Sequence, residues 1–197
     1  MRHFLDIKDF DKERLSALLD TARNMKSGHD VGRPLDGLHI GMIFEKPSTR
    51  TRVSFEVGIS QLGGTPVFLA ASDLQLGRGE TVGDTAKVLS RYLDGLMIRA
   101  MKHKTLTELV KHATVPVING LTDRSHPCQI LADLQTVIEY HGSLNNEVIV
   151  WFGDGNNVAN SWIEAAALFG FELRLVGPEA YHPSAELIAW ALEKGAN

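Results

Sequence analysis

Residues 44–52 read Phe44-Glu45-Lys46-Pro47-Ser48-Thr49-Arg50-Thr51-Arg52, and they join an apolar run that starts at Ile40 to a helical pattern that begins near Thr51. This order places hydroxyl and guanidinium groups at the N-terminus of a helix. Free backbone N–H groups and the positive end of the helix dipole favour an anion there, and Ser, Thr and Arg side chains add donors that suit phosphate oxygens. We interpret the stretch as a phosphate-binding segment.

The alternative is that Ser48 or Thr49 only caps the helix and that the arginines lie in solvent. Capping alone does not account for Arg50 and Arg52 in the first turn, because positive charge there opposes the helix dipole unless an anion is bound. The stretch therefore favours an anionic ligand over a cap alone.

Composition narrows the class of protein. The 197 residues are 44% hydrophobic and 22% charged, which suffices for a real core in one large or two small domains. The first residues have no apolar h-region and no later apolar run approaches membrane-spanning length, so we predict a cytoplasmic protein. A net charge of −4 argues against a nucleic-acid surface and favours a small metabolite as the partner.

Cys128 is the single cysteine, so an internal disulfide is impossible, and no Cys or His cluster has ligand spacing. We therefore predict no metal site and no cofactor. A cysteine beside a histidine is typical of a catalytic nucleophile, and Cys128 lies two residues from His126. Neighbouring residues of a helix point in different directions, however, which argues against this role. A small buried side chain is the expected role of this cysteine.

Short apolar runs alternate with helical patterns, which predicts an α/β fold with a parallel sheet and flanking helices. The predicted strands are 40–44, 67–70, 96–99, 116–119, 148–152 and 173–176. The predicted helices are 11–26, 51–62, 81–93, 105–112, 127–141, 157–169 and 184–194. A polar break at 142–146 predicts a boundary between a domain of residues 1–141 and a second α/β domain of residues 142–197.

The second predicted domain has about 50 residues in two strands and two helices, which is little for an independent core. We expect it to be the incomplete first part of a larger domain. Strand edges and apolar faces should then be exposed, with aggregation or loose order after Glu147.

Two further polar groups follow predicted strands or open predicted helices. His126 and Gln129 flank Pro127 at the start of a long helix, where they can offer donors to a polarised carbonyl. The alternative, in which His126 only caps the helix and Gln129 is exposed, stays open. Arg99 ends a predicted strand, and ligands of open α/β sheets bind at the carboxyl ends of strands. The segments 119–129 and 154–157 also carry polar residues at the carboxyl ends of predicted strands.

Residues 153–158, Gly153-Asp154-Gly155-Asn156-Asn157-Val158, resemble the start of a dinucleotide-binding turn, but Val158 replaces the third glycine and no acidic residue ends the next strand. Asn156 and Asn157 either present amides to a polar substrate or cap the helix. The loop from Gln75 to Glu80 is either solvated or a lid, in which Gln75 or Arg78 reaches a bound anion across a subunit boundary.

Four segments together resemble the aspartate/ornithine carbamoyltransferase family over essentially the whole chain. They are residues 44–56, residues 84–91, His126-Pro127-Cys128-Gln129 and residues 153–157. The Ser-Thr-Arg-Thr-Arg and His-Pro-x-Gln signatures occur in both branches of the family. Lys46 before Pro47 and the Gly-Asp-Gly-Asn-Asn turn are more similar to the ornithine branch.

The resemblance implies a carbamoyl-phosphate domain followed by a Rossmann-like ornithine domain, and a transferase of arginine biosynthesis that makes citrulline without a cofactor or metal. It implies that carbamoyl phosphate is bound by Ser48, Thr49, Arg50 and Thr51. It assigns the catalytic contacts with the carbamoyl group to Arg99, His126 and Gln129. It further implies a homotrimer in which Gln75 reaches a neighbouring subunit's site, and an ornithine contact at Asn157.

The chain departs from the family pattern at its end, because the Ser-Met-Gly loop and the His-Cys-Leu-Pro segment that the family uses for ornithine are not in it. We therefore expect a chain that binds carbamoyl phosphate but does not turn over ornithine by itself. Two alternatives stay open: a non-catalytic carbamoyl-phosphate binder or assembly subunit, and an aspartate carbamoyltransferase.

Overall fold

A computed structural model describes residues 3–72, 74 and 79–197 of the chain. The chain forms two compact units, one made of Met1–Leu5 and Asp30–Asp123, the other of Asp6–His29 and Arg124–Asn197. The domain boundary between residues 141 and 142 stays a prediction. The long helix before that boundary and the first helix of the chain both pack within the second unit, where Lys26 and Glu139 form an ion pair of 2.6 Å.

The elements follow the predicted alternation closely, which confirms the α/β fold class. The α-helices are α1 (Lys12–Lys26), α2 (Thr49–Gln61), α3 (Val82–Leu89), α4 (His103–His112), α5 (Pro127–His141), α6 (Asn157–Phe169) and α7 (Ala185–Glu193). The strands are β1 (His39–Phe44), β2 (Thr65–Ala70), β3 (Gly95–Arg99), β4 (Val117–Leu121), β5 (Val148–Phe152) and β6 (Glu172–Val176). Short 3-10 helices span Ile7–Asp9 and Glu179–Tyr181.

The first unit is built on a parallel sheet with the strand order β2-β1-β3-β4. Parallel register pairs Phe44 at the end of β1 with Arg99 at the end of β3. Phe4 extends the sheet by an isolated parallel bridge to Ile118 of β4. All the strands of this sheet therefore present their carboxyl ends at one edge, which is the edge where open α/β sheets bind ligands.

Helices cover both faces of this sheet, as the continuous apolar strands predict. Successive strand residues alternate between the faces. On one face Ile43, Leu96 and Ile98 pack against residues of α3 and α4, including Ala86, Leu106 and Leu109. On the other face Met42, Phe44 and Met97 pack with Ile59 of α2. The second cluster fixes α2 and its N-terminus relative to the sheet.

Five predicted element limits were wrong by two residues or more. The strand predicted from Val67 begins at Thr65, and the helix predicted from Thr105 begins at His103. The predicted helix 81–93 ends at Leu89, because the amides of Arg91 and Tyr92 turn back to Val88 and Leu89 in tight i to i+3 hydrogen bonds. The helix predicted from Thr51 begins at Thr49. The strand predicted to end at Asn119 continues to Leu121.

In the second unit the helices surround α6, which is buried along most of its length, and β5 pairs in parallel with β6. One face of this pair packs on α6 and α7 through a cluster that includes Ile163, Ala167, Ala191, Leu173 and Leu175. The opposite face exposes Val148, Val150 and Val176, and Phe152 is 76% exposed. The predicted exposure of apolar strand residues in this segment is confirmed.

We expect Gly58→Ala to raise the free energy of unfolding by roughly 0.5 to 1 kcal/mol, because alanine favours the helical backbone over glycine. Gly58 lies inside α2, and a Cβ built there meets no atom within 4 Å. Chemical unfolding of the purified protein measures the change.

Gly83→Ala in α3 is the matched control and should destabilise. Its Cβ would lie 2.7 Å from Cδ2 of His112, whose Nε2 is 3.1 Å from Glu108 Oε1. Equal effects of the two substitutions would show that space around the glycine does not decide the outcome.

Candidate functional site

The loop after β1 is held against the end of β3. The Glu45 amide donates to the Arg99 carbonyl at 2.9 Å, and Glu45 Oε2 accepts from the Met101 amide at 2.5 Å. These bonds, with the register of Phe44 on Arg99, bring the Arg99 side chain to the start of α2. The loop therefore brings the ends of two strands and one helix N-terminus together.

Ser48 is the N-cap of α2, as one interpretation of the sequence predicted. Its backbone is extended and its Oγ accepts from the Thr51 amide at 3.4 Å. The Ser48 hydroxyl also donates to Thr51 Oγ1 at 3.0 Å. The capping side chain is therefore also part of a hydroxyl pair at the helix N-terminus, where backbone N–H groups point outward.

Arg99 ends β3, where the sequence predicted a strand-end arginine. Its Nη1 donates to Thr51 Oγ1 at 3.2 Å. Its Nε is buried without a hydrogen-bond partner among the described residues, and burial lowers the pKa of the guanidinium below its ordinary value. A partly buried cation of this kind is stabilised by an anion within reach of its free donor.

The two arginines of the first turn have different surroundings. Arg52 pairs with Glu56 at 3.3 Å and lies 3.8 Å above the centre of the Phe68 ring, so the structure accounts for its charge without a ligand. The argument that both arginines lack a partner is therefore wrong for Arg52. Arg50 is exposed, as is Thr49, and no described residue forms an ion pair with Arg50 or Arg99.

Ser48, Thr51 and Arg99 therefore form a cluster of donors at the positive end of the α2 dipole, with Arg50 on the same turn. The helix dipole favours a negatively charged ligand here. The two hydroxyls and the guanidinium groups, which have no carboxylate partner among the described residues, favour such a ligand too. The arrangement is suited to a small anion with several oxygen atoms, such as a phosphate group.

At the start of α5, Pro127 occupies the first turn and His126 is the residue before the helix. Within the described part of the chain the His126 side chain makes no capping hydrogen bond, so the interpretation of His126 as a simple cap is wrong. Gln129 is exposed and its Nε2 donates to Asp133 Oδ1 at 2.8 Å. Burial raises the pKa of the Cys128 thiol to about 12, which disfavours a thiolate nucleophile.

At the turn from β5 to α6, Asn156 is the cap: its Oδ1 accepts from the amides of Val158 and Ala159. Asn157 is the first residue of α6. A Cβ on Gly155 would lie 2.3 Å from the Pro183 nitrogen, so this glycine permits close approach of the chain itself. In a dinucleotide-binding turn, a glycine leaves this space for the pyrophosphate of the ligand. Because Pro183 occupies the space here, the structure agrees with the weak match of this turn to the dinucleotide pattern.

Gln75 and Arg78, which the sequence analysis placed in a solvated loop or a lid, lie outside the described residues. Asn119, counted with the strand-end polar residues, is buried within β4 and donates to the Leu5 carbonyl at 2.8 Å. The described ranges contain no group of three or more His, Cys, Asp or Glu side chains that could hold a metal ion. No helix formed by the described residues is both long and apolar enough to cross a bilayer.

Among the predicted site residues, Ser48, Thr49, Arg50, Thr51 and Arg99 belong to the first compact unit. His126, Gln129 and Asn157 belong to the second unit. Thr51 forms hydrogen bonds with both Ser48 and Arg99. Thr49 and Arg50 lie in the same helix turn.

Sequence reasoning missed the residues that hold the backbone before α5. The Ser161 hydroxyl accepts from the His126 amide at 2.9 Å, and Ser125 donates a very short hydrogen bond to Asp6. Asp6 is more than one hundred residues away along the chain, so no local pattern indicates it. The signal available for Ser161 was its place one helical turn after Asn157.

Glu164 of α6 is a buried carboxylate, 2% exposed, in the same part of the second unit. Lys8 Nζ lies 3.1 Å from its Oε1, and the Lys8 amide donates to Oε2 at 3.4 Å. Burial and the nearby charge of Asp6 raise the pKa of Glu164 to about 7, despite the opposing effect of Lys8. Desolvation therefore outweighs the ion pair at this site.

Comparison with known proteins gives two family matches. Residues 2–139 match the model described as aspartate/ornithine carbamoyltransferase, carbamoyl-P binding domain. Residues 145–197 match the aspartate/ornithine carbamoyltransferase, Asp/Orn binding domain.

Individual relatives agree with these matches. The chain is 53% identical over 194 residues to the ornithine carbamoyltransferase of Methanosphaera stadtmanae, covering 98% of this chain and 64% of the relative. It is 52% identical over 194 residues to the anabolic ornithine carbamoyltransferase of Pseudomonas aeruginosa, with 97% and 64% covered. The structure of the Pyrococcus furiosus ornithine carbamoyltransferase superposes with a TM-score of 0.94 at 47% identity, over 100% of this chain and 65% of that one. The chain thus spans about two thirds of the length of these relatives.

We expect Glu164→Gln to change the pH dependence of stability. Because the folded pKa of about 7 lies above the ordinary 4.5, the folded protein binds more protons between these values than the unfolded chain does. The contribution of Glu164 to the free energy of unfolding is thus fully present below pH 4.5 and is lost as the pH rises through 7. Between these pH values the free energy of unfolding of the wild type should fall by up to about 3 kcal/mol relative to that of Glu164→Gln.

Urea unfolding of both proteins between pH 4 and 8 measures this difference. Glu193→Gln removes the same charge at an exposed position at the end of α7 and serves as the control. A difference between wild type and Glu164→Gln that does not vary with pH would contradict the assignment.

Proposed function

This chain belongs to the aspartate/ornithine carbamoyltransferase family, and from that premise we propose that the protein acts in transfer of the carbamoyl group of carbamoyl phosphate to the side-chain amine of L-ornithine. The products would be L-citrulline and phosphate. The observation that carries the proposal is the donor cluster of Ser48, Thr51 and Arg99 at the N-terminus of α2, whose guanidinium has no carboxylate partner among the described residues.

In the proposed reaction the neutral amine attacks the carbamoyl carbon and a C–N bond forms, while negative charge develops on the carbamoyl oxygen. The C–O bond to the phosphate then breaks, and the attacking nitrogen transfers one proton to the departing phosphate. Positioned donors can stabilise both developing charges, each by about 3 to 4 kcal/mol in comparable oxyanion sites. Positioning and electrostatics therefore suffice for this chemistry without covalent catalysis.

We assign the residue roles as the family resemblance implies. Ser48, Thr49, Arg50 and Thr51 bind the phosphate group, and the hydrogen bonds at the start of α2 support this assignment. The carbamoyl group is assigned to Arg99, His126 and Gln129, and ornithine to Asn157. The residue chemistry supports these roles, since each of the four side chains carries a hydrogen-bond donor.

The proposal extends to assembly and cellular role. We assign a homotrimer in which Gln75 reaches a neighbouring subunit's site. Val53 and Val57, which lie exposed one turn apart on α2, support burial of this helix against another chain. The proposed setting is cytoplasmic arginine biosynthesis, for which the name of the anabolic Pseudomonas aeruginosa relative is the support.

We expect Arg50→Ala to weaken carbamoyl phosphate binding by roughly 10- to 100-fold, which is the range for one lost charge-assisted hydrogen bond. Stability should change little, because Arg50 is exposed and forms no ion pair with the described residues. Isothermal titration calorimetry gives the affinity and thermal unfolding gives the stability.

Arg33→Ala is the matched control, because it removes an exposed arginine of the same unit that pairs only with Asp36 among the described residues. Its affinity should equal that of the wild type. An Arg50→Ala protein that binds carbamoyl phosphate normally would exclude the proposed role of the α2 N-terminus.

Turnover is tested by measuring citrulline formation from carbamoyl phosphate and ornithine, with aspartate as a parallel acceptor, on protein whose mass is determined by sedimentation. We expect the mass to correspond to three chains per particle. When the C-terminal third of a relative is supplied as a separate fragment, we expect carbamoylation of ornithine but not of aspartate. Turnover without the fragment would show that residues 1–197 alone support the reaction. Binding without turnover in either case would favour the non-catalytic binder, and product from aspartate would favour the other branch.

A further inference from the structure

Glu45 joins the loop after β1 to the chain that leaves β3 through two hydrogen bonds. Its amide donates to the Arg99 carbonyl at 2.9 Å, and its carboxylate oxygen Oε2 accepts from the Met101 amide at 2.5 Å. Between these two bonds the buried residue Ala100 donates its amide to the Leu121 carbonyl of β4 at 2.9 Å. This short segment is therefore held between Glu45 on one side and β4 on the other.

The hold from the β1 side matters because the pairing of β3 with β4 is irregular at Arg99. Ile98 lies opposite Asn119, but Arg99 lies opposite Leu121, so the register shifts between these two pairs. An irregularity of this kind bends a strand locally and changes the direction of nearby side chains. On the other side of β3 the register with β1 stays regular up to the pair of Phe44 and Arg99. The β1 side therefore fixes the end of β3.

The same pair of strands has a second link of this form at its opposite end. The Asp94 amide donates to the His39 carbonyl at 2.9 Å, and Asp94 Oδ2 accepts from the His39 amide at 2.8 Å. Each end of the β1–β3 pair is thus closed by one residue that uses both its amide and its carboxylate. Of the two links, the one formed by Glu45 lies at the edge that carries the donor cluster, so the pair allows effects on stability to be separated from effects on ligand binding.

The charge of Glu45 is unfavourable for the ligand that the donor cluster suits. Glu45 lies three residues before Ser48, and a carboxylate near an anion site repels the anion. Its hydrogen bond to the Met101 amide gives a physical reason for an acceptor at this position. The backbone that this bond holds also carries the Arg99 side chain, whose Nη1 donates to Thr51 Oγ1 at 3.2 Å.

We propose that Glu45 is a positioning residue that holds Arg99 beside Thr51, so that the guanidinium is in place before carbamoyl phosphate binds. The inference rests on the proposed function, in which Arg99 contacts this ligand. A donor that is already in place does not have to be ordered on binding, and the affinity is higher for that reason. The role requires a hydrogen-bond acceptor at position 45 and does not require its charge.

The test measures the affinity of the 197-residue chain for carbamoyl phosphate by calorimetry. We expect Glu45→Ala to weaken binding roughly tenfold, because the Met101 amide loses its acceptor. Glu45→Met, which is similar in size to glutamate but has no oxygen acceptor, should weaken binding to a similar extent. Glu45→Gln keeps an oxygen acceptor and removes the charge that opposes the ligand, so its affinity should equal or exceed that of the wild type.

Asp94→Ala is the matched control, because it removes the carboxylate of the other link between the same two strands. Thermal unfolding should show a loss of stability for both Asp94→Ala and Glu45→Ala, while the affinity falls only in Glu45→Ala. An equal loss of affinity in Asp94→Ala would overturn the positioning role, because any weakening of the strand pair would then suffice.

A double-mutant cycle with Arg99→Ala shows whether Glu45 acts through Arg99. Once the guanidinium is absent, Glu45→Ala should cause little further loss of affinity. The same tenfold loss in both backgrounds would overturn the positioning role, and so would tighter binding by both Glu45→Ala and Glu45→Gln, which would show that the carboxylate acts by its charge alone. A wild type that does not bind carbamoyl phosphate would overturn the proposed function, and the positioning role with it.

Discussion

The parallel register of β1 against β3 is the constraint on which the candidate site depends. It pairs Phe44 with Arg99, so the loop that leaves β1 and the arginine that ends β3 meet at one point. The Glu45 amide locks this pairing by its bond to the Arg99 carbonyl. A shift of one residue would turn the Arg99 side chain to the other face of the sheet and separate it from Thr51.

The apolar cores on the two faces of the sheet determine where the charge lies. Ile59 packs with Met42, Phe44 and Met97, and this contact holds α2 with its N-terminus at the carboxyl edge of the sheet. Arg99 is thereby placed beside the other hydrogen-bond donors at the N-terminus of α2. Its buried Nε has no hydrogen-bond partner among the described residues. The sheet packing thus maintains a local excess of positive charge, which is the physical condition for selective binding of an anion.

In the second unit the buried charge is a carboxylate that has an ion-pair partner. Glu164 is paired with Lys8 and yet has a raised pKa, because the cost of burying its charge exceeds the gain from the pair. Asp6 accepts from Ser125 in the same region. These groups hold the N-terminal segment on α6, so buried polar contacts rather than apolar area define the geometry of the residues that precede α5.

The sequence by itself determined the alternation of strands and helices, because apolar runs and helical periodicity are local, and α5, β5 and α6 have the predicted limits. It also determined the chemistry at the start of α2, since Ser48 and Arg50 lie within a few residues of each other. The tertiary structure alone decided that Arg99 bonds Thr51 and that Arg52 lies over the Phe68 ring while it pairs with Glu56. It also decided that Asp6 and Ser161 form hydrogen bonds with the segment of His126. These contacts join residues through strand register and helix packing, and neither is encoded in any local stretch of the chain.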